Sequence, residues 1–219
     1  MIRCLILLAT CMMGLTQYLI YNYAPLEATL GLSQKIFYIH LPLAWWGLMS
    51  FFLVFIASLK EILRPTLKSA ALAQAAAEIG ELFAVLTVIS GMIWGRLAWG
   101  VWWTWDPRLT TALILCFIYA GYLLLSQVEL PAAKRQKICA VCGILGFLDV
   151  PLVFFSARLW RSIHPALFTS KGAAMTQEML VTLGVSLIGL GILWFAIMYT
   201  RYQGLITYAQ LDTLENNQY

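Results

Sequence analysis

Two apolar runs, Leu82-Phe-Ala-Val-Leu-Thr-Val-Ile-Ser-Gly-Met-Ile93 and Leu109-Thr-Thr-Ala-Leu-Ile-Leu-Cys-Phe-Ile-Tyr-Ala-Gly-Tyr-Leu-Leu-Leu125, flank Trp94-Gly-Arg96-Leu-Ala-Trp99-Gly-Val-Trp102-Trp103-Thr-Trp105-Asp106-Pro-Arg108. Neither run carries an acidic or basic residue. The segment between them holds five of the nine tryptophans. An ordinary water-soluble core has no place for such runs, nor for a junction that mixes indoles with arginine and aspartate.

The whole chain repeats this pattern. It has 219 residues, 62% of them apolar and 11% charged, with a mean hydropathy of +0.82, so most of its surroundings are lipid. A bilayer core takes about 20 helical residues to cross. Laid against that ruler, the chain gives six spans near 3–21, 41–59, 75–93, 109–126, 138–157 and 177–199. The runs are continuous and lack the alternation of a membrane barrel, so the expected class is all-α. Residues 1–219 read as a single six-helix membrane domain, with no linker and no repeat. The first span resembles a signal peptide, but Tyr21-Asn-Tyr-Ala-Pro-Leu-Glu27 lacks a small-x-small cleavage site, so it is expected to stay as a helix.

Basic loops tend to remain cytoplasmic. With both termini inside, that side holds Arg3, Lys60, Arg64, Lys68, Lys134, Arg135, Lys137 and Arg201, eight of the fourteen Lys and Arg residues. The outer side then holds Lys35, Arg96, Arg108, Arg158, Arg161 and Lys171. It also collects the tryptophan segment and both histidines: His40 where the second span opens, and His164 in the third outer loop. The tail from about 201 is polar and expected to fray or to meet a partner.

A lone histidine at a helix end is ordinarily a hydrogen-bonded core residue. Here the only two fall on one face, and the segment between them in sequence supplies flat aromatic surface and nearby guanidinium groups. Two axial nitrogens, indole rings and cations for carboxylates suit a haem. Zinc would need more ligands than two histidines and Asp106, and a bare copper ion leaves the tryptophans unexplained. Trp45, Trp46 and Trp194 read as interfacial anchors. In 94–105, the glycines and the following Asp106-Pro107 instead suggest a platform lying flat along the interface. Asp106 and Arg108 form either a local ion pair or part of a ligand site, in which Arg96 or Arg108 would fork onto a propionate.

Other polar groups lie within the apolar frame. Glu78 and Glu81 enter the third span close enough to its end to reach water, Glu178 opens the sixth, and Asp149 lies deep in the fifth, where it needs an arginine or a neighbouring helix. Cys139 and Cys142 have dithiol spacing, but they start a span on the reducing side with no histidine following, so all five cysteines read as packing residues.

The pattern Trp-Gly-x-x-x-Trp-Gly-x-Trp-Trp-x-Trp-Asp-x-Arg-Leu-Thr over 94–110 resembles the "WWD" signature of haem-handling membrane proteins. Within that group the chain is most similar to the haem exporter protein C family of the bacterial cytochrome c maturation system. The resemblance extends over nearly the whole chain, since that family has six spans and a histidine in the outer loops before spans two and six. It implies haem b held by His40 and His164 as axial ligands on the periplasmic side of the inner membrane, against Trp94, Trp99, Trp102, Trp103, Trp105, Asp106, Arg96 and Arg108. It further implies an ABC-type ATPase with its membrane subunit, a small single-span protein and a periplasmic haem chaperone as partners. Pro107 stands where a small residue is expected, Pro165 follows the second histidine, and the chain is somewhat short for the family.

Both histidines lie at the surface, which suits a haem that is handed on rather than a resident electron carrier. No nucleotide-binding motif is present, so no hydrolytic or nucleotide-driven step is expected in this chain, and nothing points to nucleic acid. The alternative is a membrane subunit of a transporter or respiratory complex whose outer loops bind a quinone-like or other aromatic ligand.

Overall fold

Each apolar run is helical, because a backbone surrounded by lipid satisfies its N–H and C=O groups only within itself. The computed structural model describes residues 2–159, 168–169, 172–173 and 175–216. The helices are α1 (Ile2–Tyr18), α2 (Gln34–Leu63), α3 (Leu67–Trp99), α4 (Pro107–Leu125), α5 (Ala132–Gly146), α6 (Asp149–Leu159) and α7 (Gln177–Asn216), with a π-turn over Leu19–Tyr23 closing α1. A short antiparallel pair joins Phe168–Thr169 to Gly172–Ala173. Six helical segments are long and apolar enough to cross a membrane, so this is a multi-pass α-helical membrane protein.

Several helices outrun the apolar spans. α2 and α3 have 30 and 33 residues, about 45–50 Å at 1.5 Å per residue, against a hydrocarbon core of about 30 Å. Their ends therefore project past that core. α7 runs unbroken to Asn216, so the described part of the tail is helix rather than a frayed end.

The fifth span is interrupted. Pro151 has no N–H to give the Phe147 carbonyl. That carbonyl instead accepts from Val150 N at 3.1 Å, and Leu148 N donates to Leu145 O at 3.1 Å. α5 ends and α6 begins at this tight turn. Asp149 thus stands at a helix start within the span. It is buried, and its Oδ2 has no hydrogen-bond partner among the described residues; of the two expectations, an arginine or a neighbouring helix, those residues show α6 packed on α4.

α2 and α3 form the central hairpin. Thr66 and Ser69 make a reciprocal cap at the start of α3: Thr66 Oγ1 accepts from Ser69 N at 3.1 Å, and Ser69 Oγ accepts from Thr66 N at 3.2 Å. Small side chains then let the helices close, with Ala75, Ala76 and Ala77 fully buried and a Cβ on Gly80 falling 2.7 Å from the Phe51 ring. Such closeness is how membrane helices gain dispersion energy without a hydrophobic drive between them. Phe51 in turn stacks on Tyr119 of α4 at 3.8 Å. α1 lies along α7, where Gly189 meets Thr16.

Trp46 and Trp194 are not interfacial anchors. Their rings stack at 4.8 Å, Trp46 Nε1 donates to Leu187 O at 2.9 Å, and Trp194 Nε1 donates to Ser50 Oγ at 2.7 Å. Both indoles are satisfied inside the α2–α7 seam, whereas Trp45 is exposed.

A second apolar cluster joins the end of α1, the starts of α2 and α7 and the end of α3. Ile20, Ala24, Phe37, Tyr38, Trp94 and Met179 are its buried members, and Leu30 and Ala98 pack against them. This end of the bundle carries the tryptophan segment.

Candidate functional site

His40 lies in the second turn of α2 rather than in a loop before it. Its half-buried ring faces the last turns of α3. The His40 Nδ1 and Ser90 Oγ atoms are 3.0 Å apart, and the ring centroid is 5.7 Å from that of Trp94. Gly91 makes this approach possible: a Cβ there would stand 3.0 Å from His40 Cε1, tighter than most side-chain contacts. Ser90, Gly91 and Trp94, at i, i+1 and i+4, share one face of α3 and form the wall of the imidazole. Neither Ser90 nor Gly91 stands out in the sequence; the signal available was their helical spacing from Trp94.

The tryptophan segment is not one flat platform. Trp94, Arg96 and Trp99 belong to α3, which continues through Trp99 and ends at Gly100 in the left-handed region, φ 76°. Glycine adopts this helix-ending conformation without a Cβ penalty. Arg96 donates from Nη1 to the Gly100 carbonyl, which ties the guanidinium to the helix end. Trp94 is 4% exposed, packed on Phe37 at 5.9 Å and on Trp99 at 5.6 Å. Only 101–106 is loop, and there Trp102 and Trp105 are 56% and 77% exposed. Trp103 meets Trp105 edge-on at 5.8 Å.

Asp106 starts a helix. It is the N-cap of α4, in extended backbone, and its Oδ1 accepts from Arg108 N at 2.9 Å. Pro107 follows at the first helical position, where its missing N–H costs nothing and its fixed φ suits the helix. The departure from the family pattern at Pro107 is thereby accommodated. Arg108 lies in the first turn of α4, half-buried.

The cleft among Gly91, Trp94, Trp99, Trp102, Trp103 and Thr104 has a volume of about 10 Å³, room for one water. Three buried polar atoms here, Trp94 Nε1, Trp103 Nε1 and Thr104 Oγ1, have no hydrogen-bond partner among the described residues. The roomier clefts are elsewhere. One of about 680 Å³ runs between α1 and α7. Another, of about 500 Å³, surrounds Glu78 and Arg201, and Glu78 is roughly 24 Å back along α3 from Trp94.

His164 and Pro165 lie outside the described residues. α7, which starts soon after them in the chain, begins at the His40 end of the bundle, since Met179 is part of the cluster there. The five cysteines are free thiols, and Cys116 and Cys139 are buried.

Comparison with known proteins agrees with this arrangement. The family model described as "Heme exporter protein C" matches residues 1–217. The chain is 32% identical to Heme exporter protein C of Bradyrhizobium diazoefficiens over 89% of its own length and 75% of the relative's. It is 31% identical to the Rhodobacter capsulatus protein of the same name, over 90% and 83%. A cytochrome c biosynthesis ccmC-like mitochondrial protein of Marchantia polymorpha is 31% identical over 75% of the chain and 70% of the relative. With helices, tryptophan signature and matched length in agreement, the chain belongs to the heme exporter protein C family.

Proposed function

We propose that the protein binds haem at the periplasmic face of the bacterial inner membrane and presents it to a periplasmic haem chaperone during maturation of c-type cytochromes. In this reading both termini are cytoplasmic. The observation that carries it is the seating of His40 against Trp94, beside the exposed indoles of Trp102 and Trp105. The relatives' names, for heme export and cytochrome c biosynthesis, support the same cargo.

The residues fit haem as cargo held at a surface. A cleft of about 10 Å³ admits no porphyrin, so the flat ring would lie on the outward indoles, where one edge stays accessible to a partner. His40 and His164 would supply the two axial nitrogens of haem b. Trp94, Trp99 and Trp103 back the surface, and the N–H of Trp103 and hydroxyl of Thr104, without a partner among the described residues, offer hydrogen bonds to a polar substituent. Arg96, held at the α3 end, and Arg108, in the first turn of α4, are the cations for propionates, while Asp106 fixes the start of α4. Energy for release would come from an ABC-type ATPase and its membrane subunit, with a small single-span protein completing the assembly.

Absorption spectra of the protein in mild detergent, oxidised and reduced, test this reading. Wild type should give a low-spin bis-imidazole spectrum that His40→Ala or His164→Ala weakens and the double variant abolishes. Wild-type protein lacking haem when haem and partners are supplied, or a spectrum indifferent to both histidines, would overturn it and favour the transporter-subunit alternative.

A further inference from the structure

We infer that Ser90 is the positioning residue of His40, fixing both the tilt of the imidazole and the nitrogen it offers to iron. The inference rests on the reading of His40 as a haem ligand and adds a residue from another helix to it. Two distances carry it. Ser90 Oγ is 3.0 Å from His40 Nδ1 and 3.1 Å from the Thr87 carbonyl oxygen.

A serine hydroxyl has one proton and two lone pairs. The Thr87 carbonyl can only accept, so satisfying that contact commits the Ser90 proton to it. The remaining lone pairs of Oγ then face His40, and the 3.0 Å contact is completed by Nδ1–H donating to Oγ. That tautomer places the ring's lone pair on Nε2. Metal-bound histidines characteristically use this arrangement, in which one ring N–H is held by an acceptor and the other nitrogen is basic.

Two more of the described residues shape the seat of the ring. Gly91 leaves room for its Cε1 edge, since a Cβ there would stand 3.0 Å from that atom. Trp94 closes the next turn at 5.7 Å. Ser90 and Gly91 thus form a cradle, one supplying an acceptor and the other supplying space.

The test compares full-length wild type, Ser90→Ala, Ser90→Thr, Gly91→Ala and His40→Ala in detergent, by haem titration in the Soret band and by reductive titration of the bound haem. Ser90→Ala should weaken haem binding by about 10–100-fold, the usual cost of losing an outer-shell partner. It should also raise the midpoint potential, because an imidazole that has lost its N–H acceptor donates less charge to ferric iron. Ser90→Thr, which keeps the hydroxyl, should restore both. Gly91→Ala should weaken binding with Ser90 intact. The potential shift and the threonine rescue separate positioning from a general loss of folding. Wild-type affinity and potential in Ser90→Ala, with haem binding weakened in His40→Ala, would overturn the inference and leave the haem reading standing. A haem spectrum unchanged in His40→Ala would overturn both.

Discussion

Arg201 of α7 forks onto Glu78 of α3: Nη2 donates to Oε1 at 2.9 Å and Nε to Oε2. Gln74 adds a third hydrogen bond, from Nε2 to Glu78 Oε1 at 2.9 Å. Glu78 was expected to reach water near a span end; it lies in the fourth turn of a helix that starts at Leu67, still partly exposed, and a cation from another helix also answers it. The side chains are 48% and 25% exposed for Arg201 and Glu78, so solvent screens the pair. Removing Arg201 with an alanine should cost about 1 kcal/mol, near the upper end for exposed pairs because the contact is two-pronged. Thermal unfolding in detergent should show a lower Tm for Arg201→Ala and for Glu78→Arg, with partial recovery when Glu78→Arg is combined with Arg201→Glu. A double variant no better than its parts would deny the pair any coupling.

Gly191 is the tightest notch in α7. A Cβ there would lie 2.5 Å from Trp46 Cζ2, and that indole cannot retreat easily, being stacked on Trp194 and bonded to Leu187 O. Gly191→Ala should therefore destabilise by about 1–3 kcal/mol, as overpacking does, and shift the tryptophan emission. Gly184 in the same helix has nothing within 4 Å of its would-be Cβ. Gly184→Ala should be neutral or slightly stabilising through helix propensity. Equal behaviour of the two variants would contradict the packing of this seam.

The number and kind of spans were legible because lipid permits one solution for a long apolar run. Helix ends were less so, because the bilayer ruler measures only the apolar portion. Gln34 and Trp99 lie beyond it, although Gly100 did carry the helix-stop signal. Trp46 and Trp194 look like any interfacial tryptophan until Gly191 and Ser50 are seen to receive them. The partner of His40 was out of reach for a similar reason: Ser90 is 50 residues away, and no local pattern joins them. Asp106 was singled out for its charge, while the Asp-Pro pair before an apolar run already carried the simpler message of a helix start.

That cap gives a way to separate Asp106's charge from its hydrogen bond. Asp106→Asn keeps an oxygen for Arg108 N and should hold stability close to wild type. Asp106→Ala removes the acceptor and should cost about 1 kcal/mol, with faster hydrogen exchange at the Arg108 amide. A loss of haem binding in the asparagine variant, with the cap intact, would assign the negative charge a further role. Unchanged exchange in the alanine variant would argue against the cap.

Glu27, in the loop before α2, offers a pH handle on the same end of the molecule. Its Oε2 accepts from Leu30 N at 2.6 Å and Thr29 N at 2.8 Å, and its Oε1 accepts from the Thr29 hydroxyl at 2.9 Å. The Leu30 bond foremost, then the Thr29 hydroxyl, holds the carboxyl below the ordinary glutamate value of 4.5. Since the folded value is the lower one, this stabilisation is fully present above about pH 4.5 and fades as the pH falls through the depressed folded value. Leu30 packs against the Phe37 and Trp94 cluster, so the loosened loop should relax the seat of His40. Hydrogen exchange at Thr29 and Leu30, corrected for intrinsic rates, should show protection that drops with acid in wild type. In Glu27→Gln it should be weaker and insensitive to acid over that range, because an amide has no charge to lose. Acid-sensitive protection that survives in the glutamine variant would place the titrating group elsewhere.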